Sequence, residues 1–219
     1  MHDHSALKDS KSANTLKFAL FTTCRLIAGF RLKIKKVFPR KRKDILFVGT
    51  SEVTVNFLLT INQIMSELVE EKRSFLLVSR GCQKFAQASL SSRQEKMALI
   101  SIIWALCTPW DIIIFSDYNN TRWFHPSIPK IQCTHGIDAA TVLGHSGSGG
   151  NYLYGKNTLD QEGNLLYDLM FVESAYNRDL FTHSNPALKG KTAVVGNLRA
   201  DELLERYWQW GLPRREDSC

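Results

Sequence analysis

The segment with the most chemical potential is Pro129-Lys130-Ile131-Gln132-Cys133-Thr134-His135-Gly136, which delivers a histidine and a glycine into a loop. A neutral imidazole there can take a proton from an attacking hydroxyl, because its ordinary pKa of about 6.5 lies close to neutral pH. Gly136 lets the backbone turn sharply or approach a ligand closely. The plainer alternative is a histidine that hydrogen-bonds to a neighbouring loop. Asp138 follows, and with His135 and His145 it makes a set of metal-ligand types, but without diagnostic spacing, so no metal is expected. The run Gly144-His145-Ser146-Gly147-Ser148 misses the hydrolase elbow G-x-S-x-G at its last position. Gly150 to Asn157 approaches the phosphate-cradling G-x-x-x-x-G-K, yet Asn157 replaces the magnesium-holding Ser/Thr, and Tyr152, Leu153 and Tyr154 are bulky where phosphate must meet backbone N–H groups. A glycine-rich lid or a disordered surface loop is expected there. Asp117, Tyr118 and Asn119, followed by Arg122-Trp123-Phe124-His125, offer hydrogen bonds and a stacking face for a sugar or glycerol phosphate. Otherwise Trp123 and Phe124 simply close the edge of a core, the commoner fate of aromatic side chains.

Such residues need a scaffold, and the hydrophobic pattern supplies one. Short apolar runs at Asp44 to Val48, Ser74 to Ser79, Asp111 to Ser116, Pro129 to Thr134, Leu169 to Glu173 and Thr192 to Val195 read as strands. Helical stretches alternate with them, from about Val53 to Glu71 and from a Ser92/Glu95 capping box onward to Pro109. Continuous apolar strands separated by helices predict an α/β, Rossmann-like parallel sheet with helices on both faces. Ligands of such sheets bind at the carboxyl ends of the strands. The residues to inspect are therefore Gly49-Thr50-Ser51, Ser79-Arg80-Gly81, Asp117-Tyr118-Asn119, His135-Gly136-Ile137-Asp138, Ser174 and Gly196-Asn197-Leu198-Arg199.

Composition limits the function classes. With 219 residues and 44% hydrophobic content, the chain can bury a substantial core. The net charge is +7, but residues 1–43 alone carry twelve Lys/Arg against two Asp, so the remainder sums to −3. Basicity confined to an arm argues against a nucleic-acid-binding domain and for a tail that meets anionic lipid or another acidic surface. Residues 1–13 read as a disordered polar tail and 14–43 as a basic amphipathic helix ended by Pro39. Its apolar stripe is Leu16, Leu20, Thr23, Ile27, Phe30, Ile34 and Val37. That stripe suits a membrane interface, or equally a helix packed on its own domain or on a partner. Phe18 to Phe30 is shorter than the ~20 apolar residues of a span and contains Arg25, so no transmembrane helix is expected. Five scattered cysteines without a CxxC pair suggest a reducing, cytoplasmic setting, peripheral to the inner face of the cell membrane if the arm binds lipid.

Three segments carry a resemblance. Ile131-Gln132 to His135-Gly136, Tyr167-Asp168-Leu169 to Glu173-Ser174, and Val195-Gly196-Asn197-Leu198-Arg199-Ala200-Asp201 resemble the N-terminal half of the CDP-glycerol glycerophosphotransferase family. Those enzymes build teichoic-acid-like and capsular polymers on a GT-B glycosyltransferase-type fold. The resemblance spans roughly residues 44–210. It implies that His135 is the general base for the acceptor hydroxyl, with Gly136, Asp138, Ser174, Gly196, Arg199 and Asp201 lining the substrate cleft. Leu198 stands where the family has proline, and the residues after Gly136 lack its Pro-Leu-Lys continuation, which implies a different acceptor recognition. The family holds its nucleotide donor mainly on a second domain. With residues 211–219 as a tail after an expected helix Asp201 to Trp210, the expectation is an acceptor-side half that is incomplete alone. The implied partners are a nucleotide-activated donor and a polyol or glycan acceptor, with no cofactor. A sugar-nucleotide glycosyltransferase or epimerase half, or a non-catalytic membrane- or partner-binding module, are the alternatives.

Overall fold

The computed structural model describes residues 5–37, 39, 41–69, 71–94, 96–116, 121–133 and 164–196. Helix α1 (Ser5–Val37) begins ahead of the expected residue 14 and stops before Pro39. It is followed by β1 (Lys43–Gly49), α2 (Glu52–Leu68), β2 (Lys72–Val78), a 3-10 turn at Arg80–Cys82 and α3 (Gln83–Ser92). Then come β3 (Met97–Leu99), α4 (Ile102–Cys107), β4 (Ile112–Phe115), a 3-10 turn at Thr121–Trp123, and β5 (Lys130–Cys133). After the segment outside the described residues, β6 (Leu169–Val172), α5 (Ala175–Ser184) and β7 (Thr192–Val194) complete the order.

The seven strands form one sheet in the order β3-β2-β1-β4-β5-β6-β7, and each pairing is parallel. This is the α/β, Rossmann-like architecture expected from the alternating apolar runs. Strand alternation divides the interior into layers. Ile45 and Phe47 of β1, Leu76 and Val78 of β2 and Ile114 of β4 meet Val55, Leu58 and Leu59 of α2 and Ala86 of α3. On the other face Leu46, Val48, Leu77, Ile113 and Phe115 meet Cys24 of α1, Ala105 and Leu106 of α4, and Trp110. Both faces are covered, so every β1 residue from Asp44 to Gly49 is buried, and a continuous apolar run is what the sequence must provide. Beside β6, Tyr167, Met170, Val172, Phe181 and Leu188 make a smaller cluster.

One stretch differs from its expected structure. The helix predicted from Ser92 to Pro109 is absent: Ser92 ends α3, where its hydroxyl donates to Ser89 O at 3.0 Å instead of opening a capping box. Gln94 turns the chain at φ 53, Met97–Leu99 pair with Ser74–Leu76 as an edge strand, and Ser101 caps the short α4. A left-handed residue cannot propagate a helix, so the apolar run splits in two.

Helix α1 packs on its own domain, but not through the predicted stripe. Cys24 and Ala28 are buried, with Phe21 and Leu32 partly so, at steps of three and four that define a different face. Phe21, midway along the helix, stacks on Trp123 at 5.0 Å. Toward its carboxyl end Lys35 Nζ meets Asp111 Oδ2 at 2.7 Å and donates to Pro109 O at 2.8 Å, while Arg31 donates to Cys107 O at 3.2 Å. Asp111 Oδ2 also accepts the Asp44 backbone N–H at 2.7 Å, and Asp44 pairs with Arg73 through both carboxylate oxygens at 2.7 and 2.8 Å. Trp123 follows β4 and Asp111 precedes it, so α1 runs antiparallel to the strands. The predicted stripe is left facing outward, with Phe30 66% and Val37 70% exposed.

Candidate functional site at the carboxyl edge of the sheet

Strand order reverses between β1 and β4, the switch point at which neighbouring connections leave in opposite directions and open a crevice. On the β1 side the turn Gly49-Thr50-Ser51 is held by its own hydroxyls. Thr54 Oγ1 accepts the backbone N–H groups of Thr50 and Ser51 at 3.1 and 2.9 Å, and Ser51 Oγ accepts Thr54 N–H at 3.3 Å. This reciprocal capping box starts α2. Ser79 and Cys82 both donate to Thr50 O, at 2.9 and 3.3 Å. A Cβ on Gly49 would come within 3.1 Å of Leu58 and 3.2 Å of Thr54 Oγ1, so glycine is what lets α2 start this close to the sheet. On the β4 side Ser116, buried, sends both its N–H and its hydroxyl to Val48 O at 3.3 Å. These polar groups lie at the strand ends beside the switch point and are engaged with one another.

The three segments of the resemblance follow three adjacent strands. His135 and Gly136 come just after β5, Ser174 just after β6 and Gly196 just after β7. Ser174 is the N-cap of α5, its hydroxyl accepting Asn177 N–H at 3.1 Å, which fixes the direction in which that helix leaves the sheet. Gly196 has φ 81, a left-handed conformation that favours glycine as the chain turns off β7. Asp168 is not at this edge. It precedes β6, where its Oδ2 accepts Lys130 N–H at 2.9 Å and its own N–H donates to Lys130 O at 2.9 Å, setting the register of β5 against β6. His135, Gly136, Asp138, Arg199 and Asp201 lie outside the described residues, as do Asp117 to Asn119, the glycine-rich segment 144–150 and the expected helix Asp201 to Trp210.

Two expectations from side-chain type are corrected or extended. Trp123 and Phe124 do not form a stacking platform: Trp123 stacks on Phe21, and Phe124 is 1% exposed with its ring edge-on to Phe115 at 5.7 Å. Gln132 was overlooked, although a primary amide inside a strand covered on both faces is the signal that could have found it. It is fully buried in β5, its Nε2 donates to Cys133 O at 3.3 Å, and its Oε1 has no hydrogen-bond partner among the described residues. A buried carbonyl oxygen left unpaired costs about 1–3 kcal/mol. Next to it burial pushes the Cys133 thiol far up, so it is an inert filler and not a nucleophile.

At the opposite end of β5, Lys130 is 5% exposed and its ammonium donates to the carbonyls of His125, Pro126 and Ile128 at 3.0, 3.3 and 2.9 Å. Burial lowers its pKa to about 8, against the pull of Asp168. Its role is to pin the 125–128 turn against α1. Among the described residues no group of three His, Cys, Asp or Glu could hold a metal, and no helix is long and apolar enough to cross a membrane. The all-parallel order with helices packed around it defines the class: an α/β domain with a Rossmann-like sheet. Set against protein-family models, curated proteins and solved structures, the chain matches none of them.

Proposed function

We propose that this chain is the acceptor-side half of a GT-B-type glycosyl- or glycerophosphotransferase for cell-surface polymers, of the CDP-glycerol glycerophosphotransferase kind, working peripherally at the inner face of the cell membrane. The observation that supports it is the succession of the three motif segments after β5, β6 and β7, side by side along one edge of a parallel sheet. The ends of β5, β6 and β7 are neighbours in the sheet although distant in sequence, and acceptor recognition needs such a meeting of distant segments. In this reading His135 removes the proton of the acceptor hydroxyl as its oxygen attacks the activated donor. The new bond forms to the donor's phosphorus or sugar carbon, and the nucleotide phosphate leaves with the bonding electrons. Ser174 and Gly196 shape the cleft wall, with Gly136, Asp138, Arg199 and Asp201 completing it.

Fold alone does not choose between chemistries, so the test must be chemical. Titration of the labelled chain with glycerol-phosphate or ribitol-phosphate oligomers, followed by amide resonances, is expected to shift Ser174 and Gly196. Transfer by the detergent-solubilised enzyme that carries this half is expected to vanish in His135→Ala with folding intact. CDP-glycerol as donor supports this reading, whereas exclusive use of a UDP- or GDP-sugar moves it to an ordinary sugar-nucleotide enzyme. Shifts confined to the amino edge of the sheet, or full activity of His135→Ala, reject it.

A further inference from the structure

Helix α1 has two working faces. Its inner face, through Cys24 and Ala28, is part of the core, while Phe18, Leu26, Ile27, Phe30, Ile34 and Val37 stand 40–73% exposed on the outer side. Helix α4 lies against α1 in the same layer, and its Ile103 and Trp104, 54% and 43% exposed, continue the apolar surface. Exposed apolar patches of this extent mark interaction surfaces. Cations rim the patch. From Ser10 to Lys43 there are eleven Lys/Arg and no Asp or Glu. Along one flank of α1 a groove of about 570 Å3 runs between the helix and the turn at His125–Ser127, lined by Arg25, Lys33, Lys36, His125, Leu26 and Phe30. No acidic side chain lines it, and Lys33 and Lys36 make no ion pair among the described residues. The positive field is strong enough to reach its neighbours: Arg25 adds to burial in holding the proton affinities of His125 and Lys130 down.

We infer that this outer face seats the domain on an anionic phospholipid bilayer, with the apolar side chains of α1 and α4 in the acyl boundary and lipid phosphates in the Arg25–Lys33–Lys36 groove. The inference gives surface and headgroup chemistry to the peripheral placement proposed above, and it rests on that placement but not on the transferase chemistry. Charge decides the occupant. A second copy would bring the same cations against these, and like charges facing across an interface repel.

The test uses the full chain, because α1 is also core and deleting it would uncover Leu46, Val48, Ile113 and Phe115. Co-sedimentation with phosphatidylcholine vesicles is compared with and without phosphatidylglycerol. Binding is expected only with the anionic lipid and is expected to weaken with salt. Lys33→Glu/Lys36→Glu is expected to lower the partition coefficient by at least about 25-fold, from roughly fivefold per surface cation. Phe30→Ser is expected to remove binding that survives high salt. These side chains are exposed, so circular dichroism should stay unchanged. Absence of sedimentation with phosphatidylglycerol vesicles, or equal binding by the charge-reversed variant, overturns the proposal. So does concentration-dependent dimerisation that the same substitutions abolish. None of these readouts needs donor or acceptor, so their failure is separable from failure of the transferase reading.

Discussion

Replacing Asp111 by alanine should release α1 from the domain, and the cost can be worked from its partners. Asp111 Oδ2 holds Lys35 Nζ and the Asp44 N–H, each at 2.7 Å. Asp44 is 5% exposed, so its orphaned N–H costs about 1–3 kcal/mol. Lys35, whose side chain is 16% exposed, keeps Pro109 O but loses its counter-charge, for about 1 kcal/mol more. A total of about 3 kcal/mol is a large share of the ~5–15 kcal/mol that holds a domain together. Lys35→Met should cost only about 1 kcal/mol, because Asp111 retains the Asp44 N–H, and the double variant should show about 1 kcal/mol of coupling. Urea unfolding measures these values. Cys24, buried where α1 meets the sheet, reports the local event. Burial first, and then the neighbouring Cys107 thiol, raise its pKa to about 11. At pH 8 its thiolate fraction is then roughly 200-fold below that of a free thiol, before any steric protection. If Asp111→Ala frees the helix, alkylation of Cys24 by iodoacetamide should accelerate by about two orders of magnitude. A loss of stability below about 0.5 kcal/mol together with an unchanged Cys24 rate would show that the helix is held by something else.

Two further predictions concern the turn beside α1 and the strand ends. The His125 ring accepts Ser127 N–H on Nδ1 at 3.2 Å, and burial first, then Arg25 and Lys130, lower its pKa. The unfolded chain therefore takes up this proton first as pH falls below about 6.5, so stability should fall with acidification from there through the folded pKa, and His125→Gln should flatten that slope in pH-dependent urea unfolding. Ser51→Ala and Ser174→Ala each remove an N-cap and should cost about 1 kcal/mol in thermal unfolding, with Ser51 toward 2 because its box is reciprocal. If Ser174→Ala leaves stability intact but abolishes acceptor binding, its hydroxyl serves the ligand and not the helix.

The sheet was legible because a strand covered on both faces must be apolar throughout, and Ile45 to Val48 or Ile112 to Phe115 admit few other readings. Met97–Leu99 was not: three residues are too few for periodicity, and the polar-then-apolar sequence around them imitates a capped helix. The face of α1 was misread for a physical reason. Hydrophobicity picks out Leu, Ile and Phe, but where a helix lies against a sheet it is the small Cys24 and Ala28 that allow close approach. Hydrophobicity alone also said nothing of Lys35, whose ammonium reaches Asp111 from a basic cluster that looked wholly solvated. Of the site, the sequence placed Ser174 and Gly196 only as residues following strands; the helix cap at Ser174 and the left-handed turn at Gly196 emerged from the structure, while the amide of Gln132 was hidden by reading its strand as uniformly apolar.

Under the proposed lipid contact, the helix that closes the interior through Cys24 and Ala28 is also the one that meets the bilayer, so attachment and folding share a single equilibrium. Anything that grips the outer side of α1 weights the closed form, so vesicles that bind it should raise the unfolding temperature in proportion to the logarithm of lipid concentration. With the helix flat on a bilayer and antiparallel to the strands, the sheet lies like a plank along the surface. On the proposed reading, the carboxyl edge of the sheet then opens sideways, level with a polymer rooted in the same leaflet, and the search for an acceptor end becomes two-dimensional.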